Sequence, residues 1–427
     1  MKDIIVIGGG AAGMMAAAKA AENGCSVMLL EKNGFCGKKI NITGKGRCNM
    51  SNAREWNEFS MHIHPSAALL KNAFYGFSND ATIAWFNAAG LETSLEQGRR
   101  WFPKSMVARD VSQTMASRLR ELGVEIVCNC DVLGVSRAES GVFRCICTPA
   151  GEGLGKTKTI EAQAVIVATG GLSYPTTGST GAGYGFAKDF GIEVTATLPS
   201  LTALKPENYD PALEGINLDN VAINLYIDHD LVQMEQGDMS FTSGGIEGSL
   251  GFRVSRKAVK ALENGQKVTL SLDLKPAVTL ARLEERVSRE LESLNGGKNG
   301  TGPIKMRALL RRFMPEALVG PFINAHRELS PAKLAATLKE WRFKIVSYVG
   351  YERAVVTMGG VSQKEIVAKS MESRKVPGLY FAGEVLDIDG DTGGYNLQAA
   401  FSTGALAGRS AAQKILKARE SDPSDKG

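Results

Sequence analysis

The opening stretch constrains the fold of this chain more than any other. Residues 4–7 are all β-branched and apolar, which predicts a buried strand, and residues 14–23 form an alanine-rich helical run. Between them Gly8, Gly10 and Gly13 stand in the spacing Gly-x-Gly-x-x-Gly. In this spacing the first glycine permits a tight turn, and the second lets a pyrophosphate approach the backbone. The third lets the helix pack closely on the strand.

A second strand and an acid complete the pattern. Residues 26–30 predict the strand, and Glu31 follows it, where a carboxylate accepts hydrogen bonds from a ribose diol. Strand, glycine turn, helix, strand and acid together predict a dinucleotide-binding unit. A glycine turn between buried elements is the simplest alternative. A secretory signal would fit the apolar run, but Asp3, Lys19 and Glu22 oppose it.

Length and composition set the broad class. The 427 residues exceed what one simple core holds, so we expect two or three domains. Apolar residues make up 44% and charged residues 22%, which is typical of a soluble globular protein. The net charge of +5 is only mildly basic, and a bound dinucleotide would offset part of it. Seven cysteines without a credible signal peptide indicate thiols in a reducing cytoplasm. We therefore expect a cytoplasmic protein with a small-molecule substrate and neither a nucleic-acid nor a membrane partner.

Glycine-rich segments of the same style recur along the chain. Residues 34–49 combine glycines with four cations and show no helical or strand period, which predicts a loop that wraps a cofactor. Residues 164–171 are an apolar strand running into a glycine turn. Residues 376–398 repeat strand, acid, glycine turn and helix, and we expect this second helix N-terminus to face a redox ring. A plain nicotinamide enzyme needs only the first segment, so the pattern indicates a flavoprotein.

The middle of the chain differs in character. Residues 65–122 are predicted to be mostly helical, and residues 124–147 to form strands. Residues 199–276 alternate at period two, which indicates a separate β domain. Residues 279–340 turn helical and charged, and the glycine-rich stretch 296–302 predicts a flexible link. The two ends of the chain then form one domain, and the middle is inserted into it.

Four of the cysteines form two Cys-x-Cys pairs, Cys128 with Cys130 and Cys145 with Cys147. Residues two apart share one face of a strand, so four thiols could meet around a zinc ion. Structural zinc sites, however, usually carry Cys-x-x-Cys turns that aim the sulfurs inward. Buried cysteine is also common without any metal. We therefore predict no metal and no redox dithiol pair.

Two long motifs carry a family resemblance. One spans residues 37–49 and contains Thr-Gly-Lys-Gly-Arg-Cys-Asn. The other contains Pro-Gly-Leu-Tyr-Phe-Ala-Gly-Glu and Gly-Gly-Tyr-Asn-Leu-Gln between residues 377 and 398. Together they resemble the BaiN-type flavoprotein family, which includes a bile-acid dienoyl reductase and an aminoacetone oxidase. The resemblance implies FAD as cofactor and an α/β fold. It implies a Rossmann-like FAD-binding domain of the two-dinucleotide-binding-domain type. An inserted β-barrel and a small helical subdomain would complete the chain.

The resemblance also implies boundaries and cofactor contacts. The discontinuous FAD domain would take residues 1–195 and 350–427, the barrel-like domain 196–278 and 332–349, and the helical subdomain 279–331. The residues implied to bind FAD are Gly8, Gly10, Ala11, Ala12, Gly13, Glu31, Lys32, Lys38, Lys39, Thr43, Gly44, Arg47, Cys48, Asn49, Val132, Thr169, Gly170, Gly383, Glu384, Gly394, Asn396 and Leu397.

Individual roles follow from the same resemblance. Val132 would meet the adenine through its backbone, Thr169 and Gly170 would line the pyrophosphate side, and Glu384 would take the ribityl chain. Asn396 and Leu397 would approach the flavin ring by their backbone.

The sequence departs from the family pattern at three positions. Ala182 stands where the family often has aspartate. Ser243 and Ser249 stand where it often has histidine and proline. Because that segment would help to form a substrate pocket, neither the substrate nor an acid–base role carries over. His62, His64, His229 and His326 show no ligand spacing, and Tyr174, Tyr184 and Tyr395 are the remaining proton-donor candidates. No catalytic residue is assigned.

The predicted function is FAD-dependent reduction of an activated C=C bond. NAD(P)H would donate transiently, because no second Gly-x-Gly-x-x-Gly unit is visible. One alternative is an amine oxidase that returns electrons to oxygen and releases peroxide. Another is a flavin-carrying protein that binds RNA or a partner through its basic helical insert. The oligomeric state stays open.

Overall fold

The computed structural model describes residues 1–148, 156–295 and 303–421. The chain divides into two compact units. The first comprises Met1–Leu198 and the C-terminal segment from Val355, and the second comprises Pro199–Ala354. The glycine-rich stretch 296–302, predicted to be a flexible link, lies outside the described residues. The chain therefore leaves the first unit, builds the second and returns.

The first unit is built on a parallel sheet. The strands of its core follow the spatial order Leu379–Phe381, Lys158–Val167, Lys2–Ile7, Val27–Leu30 and Glu125–Val127, and every neighbouring pair is parallel. The central strand is buried along almost its whole length, as an apolar run in a sheet covered on both faces should be. The long strand Lys158–Val167 pairs on one edge with the antiparallel strand Phe143–Cys147, which pairs in turn with Val132–Arg137.

Shorter strands extend or flank this sheet. Ile366–Val367 and Glu372–Ser373 continue it in antiparallel fashion beyond Leu379–Phe381. Two small sheets stand apart. One pairs Ile63–His64 with Asp389–Gly390, and the other joins Ser51–Asn52, Arg100–Pro103 and Thr93–Glu96. The helices of this unit are Ala11–Glu22, Trp56–Phe59, Ala68–Gly76, Asn79–Ala88, Ala108–Glu121, Ala182–Asp189 and Tyr395–Ser421.

The first helix, Ala11–Glu22, packs on the last helix, Tyr395–Ser421, through small residues. A Cβ at Gly404 would lie 2.3 Å from the carbonyl oxygen of Ala12, and one at Gly408 would lie 2.1 Å from that of Ala16. No real Cβ tolerates such distances, so glycine is required for the two backbones to approach this closely. The alanine-rich sequences of both helices reflect this contact.

The second unit is a closed antiparallel barrel with helices. Its six strands follow the order Leu204–Pro206, Gly245–Glu247, Asp230–Thr242, Asn217–Ile227, Val268–Asp273 and Trp341–Tyr348, and the last pairs with the first. The helices are Gly248–Glu263, Leu280–Asn295, Pro303–Leu310, Glu316–Ala325 and Pro331–Lys339. The predicted α/β class, with a Rossmann-like sheet and an inserted barrel, is confirmed. Every helix in the described part of the chain is too short or too polar to cross a membrane.

Candidate functional site

A deep cavity in the first unit opens where the parallel strands end. Ile7, Leu30, Ala168 and Ala382 line it, and each stands at or just beyond the carboxyl end of one core strand. Ligands of open parallel sheets bind at this edge. The cavity holds about 1400 Å³ of space between atoms, its open mouth included. The first and last helices begin at its wall.

The glycine turn shapes one wall of the cavity. A Cβ at Gly8 would lie 2.5 Å from the carbonyl oxygen of Ala168, and one at Gly13 would lie 1.8 Å from the carbonyl oxygen of Gly8. At Gly10, by contrast, a Cβ would meet no protein atom within 4 Å. Gly10 also caps the first helix without any side-chain hydrogen bond. The turn therefore leaves open space in front of free backbone N–H groups, which is the cradle that a pyrophosphate fills.

Glu31 is buried beside this turn. Its Oε2 accepts a hydrogen bond from the backbone N–H of Gly9 at 2.7 Å, and its Oε1 accepts from the backbone and side-chain nitrogens of Asn33 at 2.7 and 2.6 Å. A carboxylate offers about four acceptor sites, so roughly one remains for a ligand hydroxyl. The protein thus fixes the carboxylate before any ribose arrives.

Three lysines of the following loop line the cavity. Lys32 Nζ donates to Thr180 Oγ1 at 2.8 Å and Lys38 Nζ donates to Asn33 Oδ1 at 3.2 Å, so both ammonium groups are held by neutral partners. Lys39 is different, because its Nζ lies 2.8 Å from Oε2 of Glu384. The loop therefore supplies two cations whose charge no carboxylate in these contacts neutralises.

Glu384 lies at the centre of a polar cluster. Besides Lys39, it accepts from Ser173 Oγ at 2.5 Å and from the backbone N–H of Thr357 at 2.8 Å. Burial alone would raise the pKa of Glu384, but the charge and hydrogen bond of Lys39, with the bonds from Ser173 and Thr357, lower it. Glu384 is therefore an ionised carboxylate whose geometry is fixed by three partners.

The N-terminus of the last helix forms the opposite wall. Asn396 and Leu397, in its first turn, line the cavity. The side chain of Asn396 is turned back onto the chain, where it accepts from the backbone N–H of Gly390 and donates to the carbonyl of Gly390, both at 2.7 Å. What this turn offers a ligand is backbone N–H, with the positive end of the helix dipole behind it.

Sixteen of the residues implied to bind FAD line this one cavity. They are Gly8, Gly10, Ala11, Ala12, Glu31, Lys32, Lys38, Lys39, Thr43, Val132, Thr169, Gly170, Gly383, Glu384, Asn396 and Leu397. The other six do not line it, namely Gly13, Gly44, Arg47, Cys48, Asn49 and Gly394. Contact of all twenty-two positions with FAD stays a prediction, and the cavity lining supports it most directly for the sixteen.

The six remaining positions make contacts within the protein. Gly13 lets the first helix meet the strand, and Cys48 is fully buried. The guanidinium of Arg47 lies 5.3 Å from the ring centroid of Phe102. With the amide of Asn49 oriented to suit its neighbours, its oxygen accepts from the backbone N–H of Gly394 at 3.0 Å. A Cβ at Gly394 would lie 2.4 Å from the backbone of Ser51, so a side chain at this position would collide with the protein.

The three departures from the family pattern fall in different places. Ala182 begins the helix Ala182–Asp189 and lines the cavity. Ser243 lies in the turn between two barrel strands and accepts a hydrogen bond from Arg353 at 3.1 Å. Ser249 lies in the first turn of the helix Gly248–Glu263, where its carbonyl accepts from Arg253 at 3.3 Å.

Sequence reasoning missed a cluster beside the last helix. His62 Nδ1 lies 2.8 Å from Asp391 Oδ2, and His64 Nε2 lies 3.1 Å from Asp391 Oδ1. The His-x-His spacing was the available signal, although His62 ends the short 3-10 turn Ser60–His62 and only His64 lies on the strand Ile63–His64. Nothing in the sequence, however, paired these histidines with an aspartate more than three hundred residues away.

The cysteines do not assemble a metal site in the part of the chain that the structure describes. No group of three or more histidine, cysteine or acidic side chains there has metal-binding geometry. Burial is the main cause that raises the pKa of Cys48, Cys130 and Cys145, to about 12 in each case. These thiols therefore stay protonated, and thiolate chemistry is disfavoured.

Fold and cavity together define the class: a FAD-dependent oxidoreductase built on a Rossmann-like sheet. FAD fits three features of the cavity: the open space at Gly10, the buried carboxylate of Glu31 that can accept from a ribose, and the two helix N-termini. The chain belongs to the family described as HI0933-like protein Rossmann domain, which it matches over residues 2–410. The resemblance to BaiN-type flavoproteins is thereby confirmed at the level of the family.

Two named relatives align with nearly the whole chain. It is 29% identical over 429 residues to the 3-dehydro-bile acid delta(4,6)-reductase of Clostridium scindens, covering 97% of this chain and 100% of that one. It is 30% identical over 431 residues to the ribosomal RNA dihydrouridine synthase of Escherichia coli, covering 98% and 99%. A solved 3-ketosteroid-delta4-(5alpha)-dehydrogenase from Rhodococcus jostii shares the fold, with a TM-score of 0.51, 15% identity and 96% of each chain covered.

Proposed function

We propose that this protein binds FAD in the cavity and reduces a C=C bond conjugated to a carbonyl group, with NAD(P)H as a transient hydride donor. The observation that carries the proposal is the convergence of sixteen family-implied residues on one cavity with a helix N-terminus at either wall. The names of the bile-acid and RNA relatives support the choice of reaction, because each describes reduction of a double bond beside a carbonyl.

The chain's own residues would bind and orient the cofactor. The Gly8–Gly13 turn and the first helix would hold the pyrophosphate, and Glu31 would accept from the adenosine ribose. The Lys39–Glu384 pair would face the middle of the cofactor, where a fixed carboxylate can accept from a hydroxyl. When bound, FAD supplies hydride transfer between donor and substrate.

The N-terminus of the last helix would tune the site. Backbone N–H groups at Asn396 and Leu397 stabilise negative charge that develops beside them, because the helix dipole places roughly half a positive charge there. A reduced flavin carries such charge. The side chain of Asn396 is committed to Gly390, so the effect would come from the backbone.

A second candidate substrate is uracil within RNA, whose ring also holds a C=C bond conjugated to a carbonyl. The specific observation is full-length identity of 30% to a protein named ribosomal RNA dihydrouridine synthase. A second observation concerns two arginines. The guanidinium groups of Arg47 and Arg100 lie 5.3 and 5.8 Å from the ring centroid of Phe102. Among the described residues neither has an acidic partner within salt-bridge distance. Guanidinium groups of this kind suit phosphate.

The test is a donor and acceptor screen on the purified holoprotein. NADH and NADPH serve as donors, and cyclohexenone, 4-androstene-3,17-dione and poly(U) RNA serve as acceptors, all without oxygen. Reduction of any acceptor supports the proposal and distinguishes enone from RNA. An amine oxidase would instead bleach with an aminoketone and release peroxide when air is admitted. Failure to bind FAD would refute all three enzymatic hypotheses together: the enone reductase, the RNA uracil reductase and the amine oxidase.

A further inference from the structure

A cationic turn borders the cavity without lining it. Thr43 lines the cavity, and its carbonyl accepts from the backbone N–H of Cys48 at 3.1 Å. Inside that closure the carbonyl of Gly44 accepts from the backbone N–H of Arg47 at 3.3 Å. The chain therefore turns back on itself directly after Thr43. Lys45 and Arg47, both exposed, stand on this turn beside the cavity.

The backbone of the turn is tightly defined. Gly44, Lys45 and Gly46 have φ values of +57°, +57° and +84°, so three consecutive residues are left-handed. This conformation is unfavourable at Lys45, which carries a side chain, and it persists only where the surrounding structure fixes it. The turn thus gives the side chains of Lys45 and Arg47 fixed starting points.

Two guanidinium groups converge on one aromatic ring beside this turn. Those of Arg47 and Arg100 lie 5.3 and 5.8 Å from the centroid of Phe102, which is itself buried. Arg100 stands on the strand Arg100–Pro103, and its Nε donates to the carbonyl of Gln97 at 2.9 Å. The ring orients both groups, and their other N–H donors make no hydrogen bond to the residues that the structure describes.

The charges of these two arginines are not neutralised by the protein. Their neighbours Arg54 and Arg99 both pair with Glu58, at 3.5 and 3.3 Å. Glu96 stands opposite Arg100 in the strand register, yet the two side chains form no ion pair. In the described ranges, no carboxylate lies within salt-bridge distance of three cations: Lys45, Arg47 and Arg100. Like charges held together in this way favour an anionic ligand.

The size of the patch selects the kind of anion. A protein that holds a nucleic acid makes, in a typical case, about 6–10 phosphate contacts. Two guanidinium groups and one ammonium group around a single ring suit one phosphate group. The Gly8–Gly13 turn is the place for the pyrophosphate of FAD. Of the ligands in the proposed function, NADPH is the one that carries a further phosphate, because it differs from NADH by a phosphate on the adenosine 2′-oxygen.

We propose that Arg47 and Arg100, with Lys45 beside them, bind the 2′-phosphate of NADPH and make the protein select NADPH over NADH. The proposal rests on the proposed function, which leaves the nicotinamide donor open. A planar guanidinium meets two phosphate oxygens with two parallel N–H donors, so two arginines match one phosphate in geometry and charge. NADH offers no group to these donors. Because salt screens exposed contacts, the spent nucleotide leaves readily, as a transient donor requires.

The experiment measures the donor half of the reaction alone. Holoprotein is mixed without oxygen with NADPH or NADH, each below saturation, and bleaching of the flavin is timed. We expect the rate with NADPH to exceed the rate with NADH at least about tenfold, since NADH lacks the charge-assisted contacts to phosphate. Arg47→Met and Arg100→Met should each lower this ratio of rates. Added salt should lower the wild-type ratio as well, because exposed charges are screened.

A matched variant separates the phosphate contact from general charge. Arg99→Met removes a neighbouring exposed arginine whose charge is already paired with Glu58, so the ratio should stay at the wild-type value. The ratio compares two donors on the same protein, so partial loss of FAD from a variant does not change it. Binding of NADP⁺ and NAD⁺ to the holoprotein gives a second readout that needs no hydride transfer. NADP⁺ should bind more tightly, and each of the two patch variants should reduce the difference.

Each outcome decides. Wild-type rates with NADPH and NADH that agree within about twofold overturn the phosphate site, while the proposed function stands. A preference that survives in both patch variants also overturns it, and if one variant fails to retain FAD the other decides. If neither nucleotide bleaches the flavin, the donor named in the proposed function is wrong. Binding then judges the phosphate site alone, and equal affinities for NADP⁺ and NAD⁺ overturn it. Variants that lose poly(U) binding but keep the NADPH preference assign the patch to RNA instead.

Discussion

The ammonium of Lys39 lies 2.8 Å from Oε2 of Glu384, and this ion pair ties together two segments 345 residues apart in sequence. Both side chains are largely buried, at 24% and 19% exposure. Lys39 belongs to the loop after the strand Val27–Leu30, and Glu384 follows the strand Leu379–Phe381 of the parallel core. The pair therefore joins the N-terminal and C-terminal parts of the first unit at the cavity wall.

A double-mutant cycle should reveal this coupling. Lys39→Met and Glu384→Gln each remove one charge and leave the opposite, largely buried charge without its ion-pair partner, so each should lower the free energy of unfolding by about 1–3 kcal/mol. The double variant should cost less than the sum, with a coupling of about 0.5–3 kcal/mol. Urea unfolding of the cofactor-free chain measures all three. Strict additivity would show that the pair does not stabilise the unit.

The same pair gives a pH dependence. The pKa of Glu384 is lowered in the folded chain, so its contribution is fully present above the unfolded carboxyl pKa of about 4.3. It should be lost as pH falls through the lower folded value. Wild type should therefore lose stability relative to Glu384→Gln as pH drops below about 4.3. Parallel curves for the two proteins across that range would contradict the shift.

Sequence periodicity predicted the parts of the fold that local chemistry determines. The buried strand before Gly8, the helix after Gly13 and the alternating barrel strands depend on apolar period and turn residues, and these are legible in one sequence. The short strand Arg100–Pro103 falls within residues predicted to be mostly helical, because its pairing with Thr93–Glu96 does not follow from the pattern of its own four residues. Tertiary pairing of this kind overrides local pattern.

The candidate site was predictable where a motif carries the contact. The glycine spacing and the acid after the second strand already identified Gly8, Gly10 and Glu31 in the sequence. In the structure these residues line one wall of the cavity. Other contacts of the site join residues hundreds of positions apart in the sequence. Ser173 donates a hydrogen bond to Glu384, and Asp391 is hydrogen-bonded to His62 and His64. No single-sequence pattern brings such residues together, since only the folded sheet sets those distances.

Removing the charge of Glu31 should weaken cofactor retention. Glu31→Gln keeps the side-chain shape but loses a charge-assisted hydrogen bond to a ribose, worth about 1.5–3 kcal/mol. We expect FAD to dissociate at least about tenfold more readily on dialysis, while circular dichroism stays unchanged. Glu139→Gln, at an exposed position, is the control. Full FAD occupancy after dialysis of Glu31→Gln would remove this residue from the ribose site.

Two glycines separate backbone strain from steric contact. Gly394 and Gly46 have φ values of +97° and +84°, so alanine is strained at both. A Cβ at Gly46 meets nothing within 4 Å, whereas one at Gly394 lies 2.4 Å from the backbone of Ser51. Gly46→Ala should cost about 1 kcal/mol, and Gly394→Ala clearly more, with loss of FAD. Equal melting temperatures for the two variants would contradict this packing.

Metal and thiol analysis tests the cysteine interpretation. We expect less than stoichiometric zinc in the purified protein and no loss of FAD or stability on treatment with a chelator, because the Cys-x-Cys pairs lack the usual knuckle turns. With a buried, protonated thiol at Cys48, Cys130 and Cys145, native protein should react slowly with a thiol reagent at mild pH and faster once unfolded. One tightly bound zinc per chain would reverse the interpretation.

A single-turnover reduction tests most directly whether this protein uses FAD to reduce a conjugated double bond. Purified yellow holoprotein is reduced without oxygen, mixed with cyclohexenone, 4-androstene-3,17-dione or poly(U) RNA in heavy water, and the product is analysed by mass spectrometry. We expect return of the oxidised flavin spectrum and one saturated bond per flavin, with one solvent deuteron on the carbon beside the carbonyl. A protein that binds no FAD, or whose reduced flavin is reoxidised only by oxygen, would contradict it.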